Sequence, residues 1–265
     1  MHPRSEMDNG TTPAVTWLIA AHIANDHLKT AIESCLNQTF RDFECLVIAN
    51  GADATIVAEQ VTTWFGSDDR LRVITTDVRH LNFSLSLGLH LARGPLIARM
   101  DADDISLPNR LEHQLSFMST NPLVAVLGTQ YEVIDQAGQV IAAVDLPTTD
   151  LAIRKRLYFG NPFCHPSVML RRGVILEAGG YLGGLHAEDY DLWARLARSE
   201  NIKFANLPTC LLQYRSAGIG VARRARSAYA TMGAAQFANC VAGAGWPWGI
   251  AALISLSKAM IRGQR

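Results

Sequence analysis

The feature that most constrains the fold is an alternation of short apolar runs with stretches of helical periodicity, repeated from residue 15 onward and ending in Asp101-Ala102-Asp103-Asp104. The runs at 15–20, 43–49, 71–75 and 95–100 have the length and composition of strands buried on both faces. Between the first two, Leu28, Ile32, Cys35, Leu36 and Phe40 recur at helical spacing, with Asn25 or Asp26 available as the N-cap. Ile56, Val57, Val61, Trp64 and Phe65 form the next helical stripe, and Leu81, Leu85, Leu89 and Ala92 the third, stopped by Gly94-Pro95. This order implies an α/β protein with a mostly parallel sheet, right-handed crossovers and helices on both faces.

The rest of the chain is less regular. Ser106 is expected to cap a helix with Pro108 near its first turn and Leu111, Leu115 and Met118 facing inward. Strands are expected at 124–128, 131–134 and 140–144, the last two joined by a turn at Gln136-Ala137-Gly138. Further strands are expected at 165–170, 203–205 and 211–214, with a helix at 190–197 and helices beyond Val221. The sequence divides into a flexible tail (1–13), one domain (14–220, in halves 14–128 and 129–220) and a helical extension (221–265).

Composition narrows the function classes. Lys+Arg and Asp+Glu each number 24, so there is no basic excess of the kind that nucleic-acid binding needs. The five cysteines are scattered without a Cys-x-x-Cys pair, which fits reduced thiols in a cytoplasmic protein better than a disulfide framework or zinc site. The apolar segment 246–261, followed by Arg262 and Arg265, falls short of the roughly 20 residues a spanning helix needs. It reads either as a helix packed on the domain or as one resting on a membrane surface with its basic residues toward lipid headgroups.

In open α/β sheets ligands bind at the carboxyl ends of the strands. Ala21-His22, Asn50-Gly51 and the acidic cluster at 101–104 all fall at such ends. Three carboxylates within four residues repel one another, and a divalent cation with hard oxygen ligands, Mg²⁺ or Mn²⁺, is the simplest compensation. Acidic residues ahead of a helix also complement its dipole, so the cluster has a structural reading as well. The same two readings apply to Glu188-Asp189, as dipole complements or as a general base taking a proton from an attacking hydroxyl. His165, flanked by Pro162 and Pro166, is either a buried structural histidine or a phosphate or substrate contact. Arg215, Arg223, Arg224 and Arg226 could meet a pyrophosphate or anionic lipid, or form a solvated basic face.

With these residues in view, the sequence resembles glycosyltransferase family 2. Three segments carry the resemblance: 15–50, with Ala31-Ile32-Glu33-Ser34-Cys35-Leu36-Asn37-Gln38-Thr39-Phe40; 88–128, with Ala98-Arg99-Met100-Asp101-Ala102-Asp103-Asp104; and 161–215, with His165-Pro166-Ser167, Gly179-Gly180-Tyr181 and Glu188-Asp189-Tyr190-Asp191-Leu192-Trp193. The resemblance implies a GT-A fold, a Rossmann-like mostly parallel central sheet with flanking helices. It also implies inverting transfer from a nucleotide-diphosphate sugar to a saccharide or lipid-linked acceptor, in polysaccharide or cell-envelope synthesis. Asp101 and Asp103 match the Asp-x-Asp motif that holds Mn²⁺ or Mg²⁺, with Asp103 as the direct ligand, and Asp189 matches the catalytic base, with Glu188 beside it. Ala20, His22, Asn50, Arg79, Asp101 and His165 are the residues expected around the nucleotide sugar, 14–128 being the donor half and 129–220 the acceptor half. The expected location is cytoplasmic, with peripheral contact to the inner face of the membrane through the C-terminal tail. The chain departs from the family at Ala20-Ala21-His22-Ile23-Ala24-Asn25, where Pro-x-Tyr-Asn is usual, and at Ala49-Asn50-Gly51-Ala52, where Asp-Asp-Gly-Ser or Asp-Asn-Gly-Ser is usual. Those departures keep a second expectation open, a non-catalytic GT-A domain that binds a nucleotide sugar or a protein partner.

Overall fold

A computed structural model describes residues 12–183, 186–216 and 226–261. Arg223, Arg224, Arg262 and Arg265, and most of the expected N-terminal tail, lie outside the described residues. Four strands, β1 (Val15–Ala21), β2 (Phe43–Asn50), β3 (Leu71–Thr76) and β4 (Leu96–Met100), run parallel in the order β3-β2-β1-β4. The helices between them are α1 (Asp26–Leu36), α2 (Ala54–Phe65) and α3 (Leu81–Leu91). Asn25 is the N-cap of α1, its side chain accepting from the Leu28 amide at 3.0 Å.

Strand alternation divides the core into two layers. In β1, Val15, Trp17 and Ile19 face one side with Leu28 and Ile32 of α1 and Val57 and Val61 of α2. Leu18 faces the other, with Leu85 and Leu89 of α3. Both faces of β1 and β2 are covered, which is why they read as nearly unbroken apolar runs, whereas β3, expected to be buried on both faces, is only partly buried at the edge of the sheet.

Beyond β4 the sheet changes direction. The remaining strands are β5 (Ile105–Ser106), β6 (Val124–Ile134), β7 (Val140–Val144), β8 (Met169–Arg171) and β9 (Lys203–Arg215). The short β8 lies between β4 and β6 and is antiparallel to both. β6 pairs with β9 in parallel, β9 with β5 antiparallel, and β7 adds to β6. The helices of this half are α4 (Arg110–Thr120), α5 (Asp150–Leu157), α6 (Arg172–Glu177) and α7 (Glu188–Leu196). Then α8 (Arg226–Val241) and α9 (Trp246–Ile261) close the chain, so helices do follow Val221. Among the described residues no helix is long and apolar enough to cross a membrane, and the five cysteines are free.

Several sequence expectations are corrected here. Ser106 does not cap a helix: α4 starts after Asn109, and Ser106 lies in β5, its amide donating to Ser34 Oγ at 3.1 Å and its hydroxyl accepting from Gln38 at 3.3 Å. The runs at 124–128 and 131–134 are one strand, β6, which carries the chain across residue 128 without a break. Gly128 sits inside it because a Cβ there would fall 2.0 Å from Asn206 Oδ1 on β9. The strands at 203–205 and 211–214 are likewise one, with the ladder register shifting opposite Thr129 and Gln130, beside Pro208. Finally, 165–170 is not a strand throughout: His165–Ser167 is a 3₁₀ turn leading into β8.

Candidate active site

The donor side of the site lies at the carboxyl edge of the parallel strands. β4 ends at Met100 and releases Asp101-Ala102-Asp103-Asp104 into a turn that Arg215, the last residue of β9, clamps from behind. The Arg215 amide donates to Asp104 Oδ1 at 2.8 Å and its Nε to the Asp103 carbonyl at 2.8 Å. Its Nη1 donates to the carbonyls of Asp135 and Gln136. Arg215 is therefore buried and committed to holding the loop, not free to meet a pyrophosphate or lipid. Arg226 is exposed at the start of α8.

The carboxylates of Asp101, Asp103 and Asp104 can each present an oxygen with all three within 4.8 Å of one another. Asp104 is fully buried, and its Oδ2 has no partner. Burial, with the charge of Asp101, pushes the Asp104 carboxyl well up, and the same two causes raise Asp103. Asp101 is one-third exposed and pairs with Arg99, Nη2 to Oδ1 at 2.5 Å. An orphaned buried oxygen beside mutually repelling carboxylates fits a hard divalent cation, so the residues present suit Mn²⁺ or Mg²⁺.

Two clefts meet at Asp101. The first, about 470 Å³, is lined by Ala20, His22, Asn50, Arg79, Asp101 and Asp103, among others. It gathers the expected donor residues with one exception, His165. Asn50 is anchored there by its side-chain amide, which donates to the Ala21 carbonyl at 3.1 Å. Gly51, at φ +92°, lets the chain turn against Arg79, whose Cβ would lie 3.2 Å from a Cβ at that position. The second cleft, about 510 Å³, is lined by Asp101 again and by Asn161, His165, Glu188, Asp189 and Tyr214.

In the second cleft, Glu188 and Asp189 open α7, where their charges also suit the helix N-terminus. Asn161 donates its side-chain amide to Asp189 Oδ2, and the Tyr190 amide donates to Oδ1 at 2.7 Å, which fixes that carboxylate. The Glu188 carboxyl is pushed up to about 7 by burial and then by the Asp189 charge. His165 lies on this side, its Nε2 2.9 Å from the Tyr181 hydroxyl and its Nδ1 3.9 Å from Glu188. Burial, reinforced by Arg99, holds His165 well below its ordinary value, so the imidazole is neutral and the approach to Glu188 is not an ion pair near pH 7. Arg99, Asn161 and Tyr181 stand in the segments that carry the resemblance but were assigned no role from the sequence. Arg99 had a signal: it is a charge inside an apolar run, two residues before an aspartate.

A mostly parallel sheet bearing an acidic loop at its carboxyl edge, with paired carboxylates on a cleft that adjoins that loop, is the arrangement expected of the GT-A fold. The chain's fold matches solved structures. The Staphylococcus aureus protein TarS (residues 1–349), in complex with UDP-GlcNAc, superposes with a TM-score of 0.66 at 14% identity, covering 86% of this chain and 65% of that one. The mannosyltransferase PcManGT from Pyrobaculum calidifontis, in complex with GDP-Man and Mn²⁺, gives 0.61 at 14% identity, covering 95% and 74%. The sequence matches Glycosyl transferase family 2 over residues 16–179. It is 40% identical to the O-antigen biosynthesis glycosyltransferase WbnJ of Escherichia coli over 76% of this chain and 79% of that protein. It is 31% identical to the amylovoran biosynthesis glycosyltransferase AmsE of Erwinia amylovora over 75% and 74%. The chain belongs to glycosyltransferase family 2 and is a glycosyltransferase.

Proposed function

We propose that this enzyme transfers a sugar, with inversion, from a nucleoside-diphosphate sugar in the first cleft to an acceptor hydroxyl presented in the second. The observation that carries this reading is the meeting of the two clefts at Asp101, with Glu188 and Asp189 on the acceptor side. A donor whose diphosphate lies beside Asp101 and Asp103 presents its anomeric carbon toward the second cleft. Mn²⁺ or Mg²⁺ held by Asp103 and Asp101 would neutralise charge on the departing diphosphate. Arg99 keeps Asp101 in place, and Arg215 keeps Asp103 and Asp104 in place. A single displacement needs one base. Asp189 takes the acceptor proton, its orientation set by Asn161 and the Tyr190 amide. Tyr131 and Tyr214, edge to face at 6.0 Å, add ring surface to the same cleft for a saccharide acceptor.

The names of WbnJ and AmsE support an acceptor in cell-surface polysaccharide or lipid-linked oligosaccharide synthesis. The TarS and PcManGT complexes support a nucleoside-diphosphate donor and a metal. The free cysteines support a cytoplasmic enzyme, and an acceptor of the proposed kind would place it at the inner face of the membrane, in contact with it through its C-terminal helices. The test is Asp189→Asn, which should retain Mn²⁺-dependent nucleotide binding while losing roughly 10²-fold or more in turnover. Unchanged turnover would remove Asp189 from the base role. No turnover with any nucleotide sugar, in variant or parent, would leave a binding domain instead.

A further inference from the structure

Helix α9 is apolar on the side that should be polar. Trp248, Ala251, Ala252, Ser255 and Ala259 are buried against the domain. On the opposite side Trp246, Ile250, Leu253, Ile254, Met260 and Ile261 are exposed, Trp246 at 74%, Leu253 at 68% and Met260 at 70%. At about 100° per residue these six positions form one stripe. Phe237 and Val241, exposed on α8, enlarge the patch. A surface helix of a water-soluble domain carries its polar residues there, and an apolar stripe on this scale marks a docking face.

Charge identifies what docks. All 24 acidic residues lie at or before Glu200, whereas 8 of the 24 basic residues follow it, so 1–200 carries a net 16 − 24 = −8 and 201–265 a net +8. The exposed stripe contains no carboxylate, and Lys258 flanks it, over the Tyr229 ring at 5.9 Å. We infer that the α8–α9 hairpin is a docking surface for an anionic lipid bilayer, with α9 lying in the headgroup plane. At 16 residues α9 is too short to cross the roughly 30 Å hydrocarbon core, but its stripe suits an interfacial helix with cations at its edge. A second copy docked on the same face would set Lys258 against Lys258 with no carboxylate on the stripe to offset it. The hairpin is also fixed to the helix that carries the proposed base. Gln236 donates to the Tyr190 hydroxyl at 2.7 Å and Asn239 to the Ala194 carbonyl at 2.7 Å, both side chains fully buried. Docking therefore sets the position of the acceptor cleft relative to the bilayer. The docking deepens the membrane contact given under Proposed function, and its consequence for the acceptor cleft rests on the reaction proposed there.

The test is co-sedimentation of the full chain with vesicles of phosphatidylcholine alone and with one-third phosphatidylglycerol. The parent should pellet with the anionic vesicles and be released by high salt, and Trp246→Ser/Leu253→Ser/Met260→Ser should weaken binding about tenfold or more. That variant should keep the parent's melting temperature and its Mn²⁺-dependent nucleotide binding. A parent that stays in the supernatant, or a variant that pellets equally well, overturns the proposal. So does a parent dimer that the substitutions dissolve while neither form binds vesicles, which would assign the face to a second copy. A measurement independent of the triple variant is quenching of the parent's tryptophan fluorescence by brominated lipid, which Trp246→Phe should largely remove. Absence of quenching overturns the proposal too. Vesicle binding without any sugar transfer would leave the docking intact and remove the proposed reaction.

Discussion

Glu188 and Asp189 are neighbours on one helical turn, yet their surroundings differ. Asp189 has a donor on each oxygen, whereas Glu188 meets a neutral imidazole at 3.9 Å and the charge of its neighbour. Its carboxyl is raised from 4.5 to about 7, so the folded protein binds a proton that the unfolded chain releases between those values. Stability from this residue is then lost as pH rises through that window, by about 3 kcal/mol at roughly 1.4 kcal/mol per unit. Glu188→Gln should therefore stabilise the protein more at pH 8 than at pH 4.5, measured by urea unfolding at both. An equal change at the two pH values would mean that the carboxyl is not raised. The acidic residues of the site were legible in the sequence because their type and spacing already imply repulsion and metal or proton chemistry. Asn161 and Tyr181 were not, since an asparagine and a tyrosine acquire a role only through what they touch.

At the scale of elements, the four parallel strands were readable to within a residue, β1, β2 and β4 because they are buried almost throughout and β3, which is only partly buried, because its short apolar run falls in the repeat they set. The second half was harder for a physical reason. Gly128 and Pro208 are ordinary strand breakers, but here one admits a close approach of Asn206 and the other lies at a shift in the ladder, so the strands continue. Helix α5 was missed because only Ile153 and Leu157 of its eight residues are buried, leaving no apolar stripe to recognise. Arg110, on the first turn of α4, shows how these elements are joined. It is wholly buried, stacks over Trp17 at 4.8 Å, and donates to the carbonyls of Arg99 at 2.9 Å and Pro166 at 2.8 Å. It thus links β4, just before the acidic loop, to the turn that carries His165. Arg110→Met keeps the bulk but strips those carbonyls of their donor, and should cost about 3 kcal/mol by urea denaturation with an unchanged m value. A loss under about 1 kcal/mol would show that water or Gln114 replaces the guanidinium.

Across the whole molecule, the site is assembled from contacts that no local pattern encodes. Arg215 reaches Asp103 and Asp104 from more than a hundred residues away in sequence, and the two clefts share Asp101 only because β8 turns the second half back against β4. This arrangement stacks three carboxylates behind a clamp with one buried oxygen unpartnered, a cost borne throughout the folded state. A ligand that relieves it binds the folded chain and not the unfolded one, and so must raise apparent stability. At a hundred times its dissociation constant a matching nucleoside diphosphate with Mn²⁺ should add about 2.7 kcal/mol, raising the melting temperature by roughly 5–10 °C. Across UDP, GDP and dTDP the increments should differ, since Asn50 lines the cleft in which the proposed donor nucleotide would lie. In Asp103→Ala the increment should fall to that of the nucleotide without metal, while the melting temperature of the ligand-free protein holds or rises, since a repelling charge has gone. If parent and variant gained equally with and without Mn²⁺, the acidic loop would be a complement to the fold's own dipoles, and the chemistry proposed for it would have to be withdrawn.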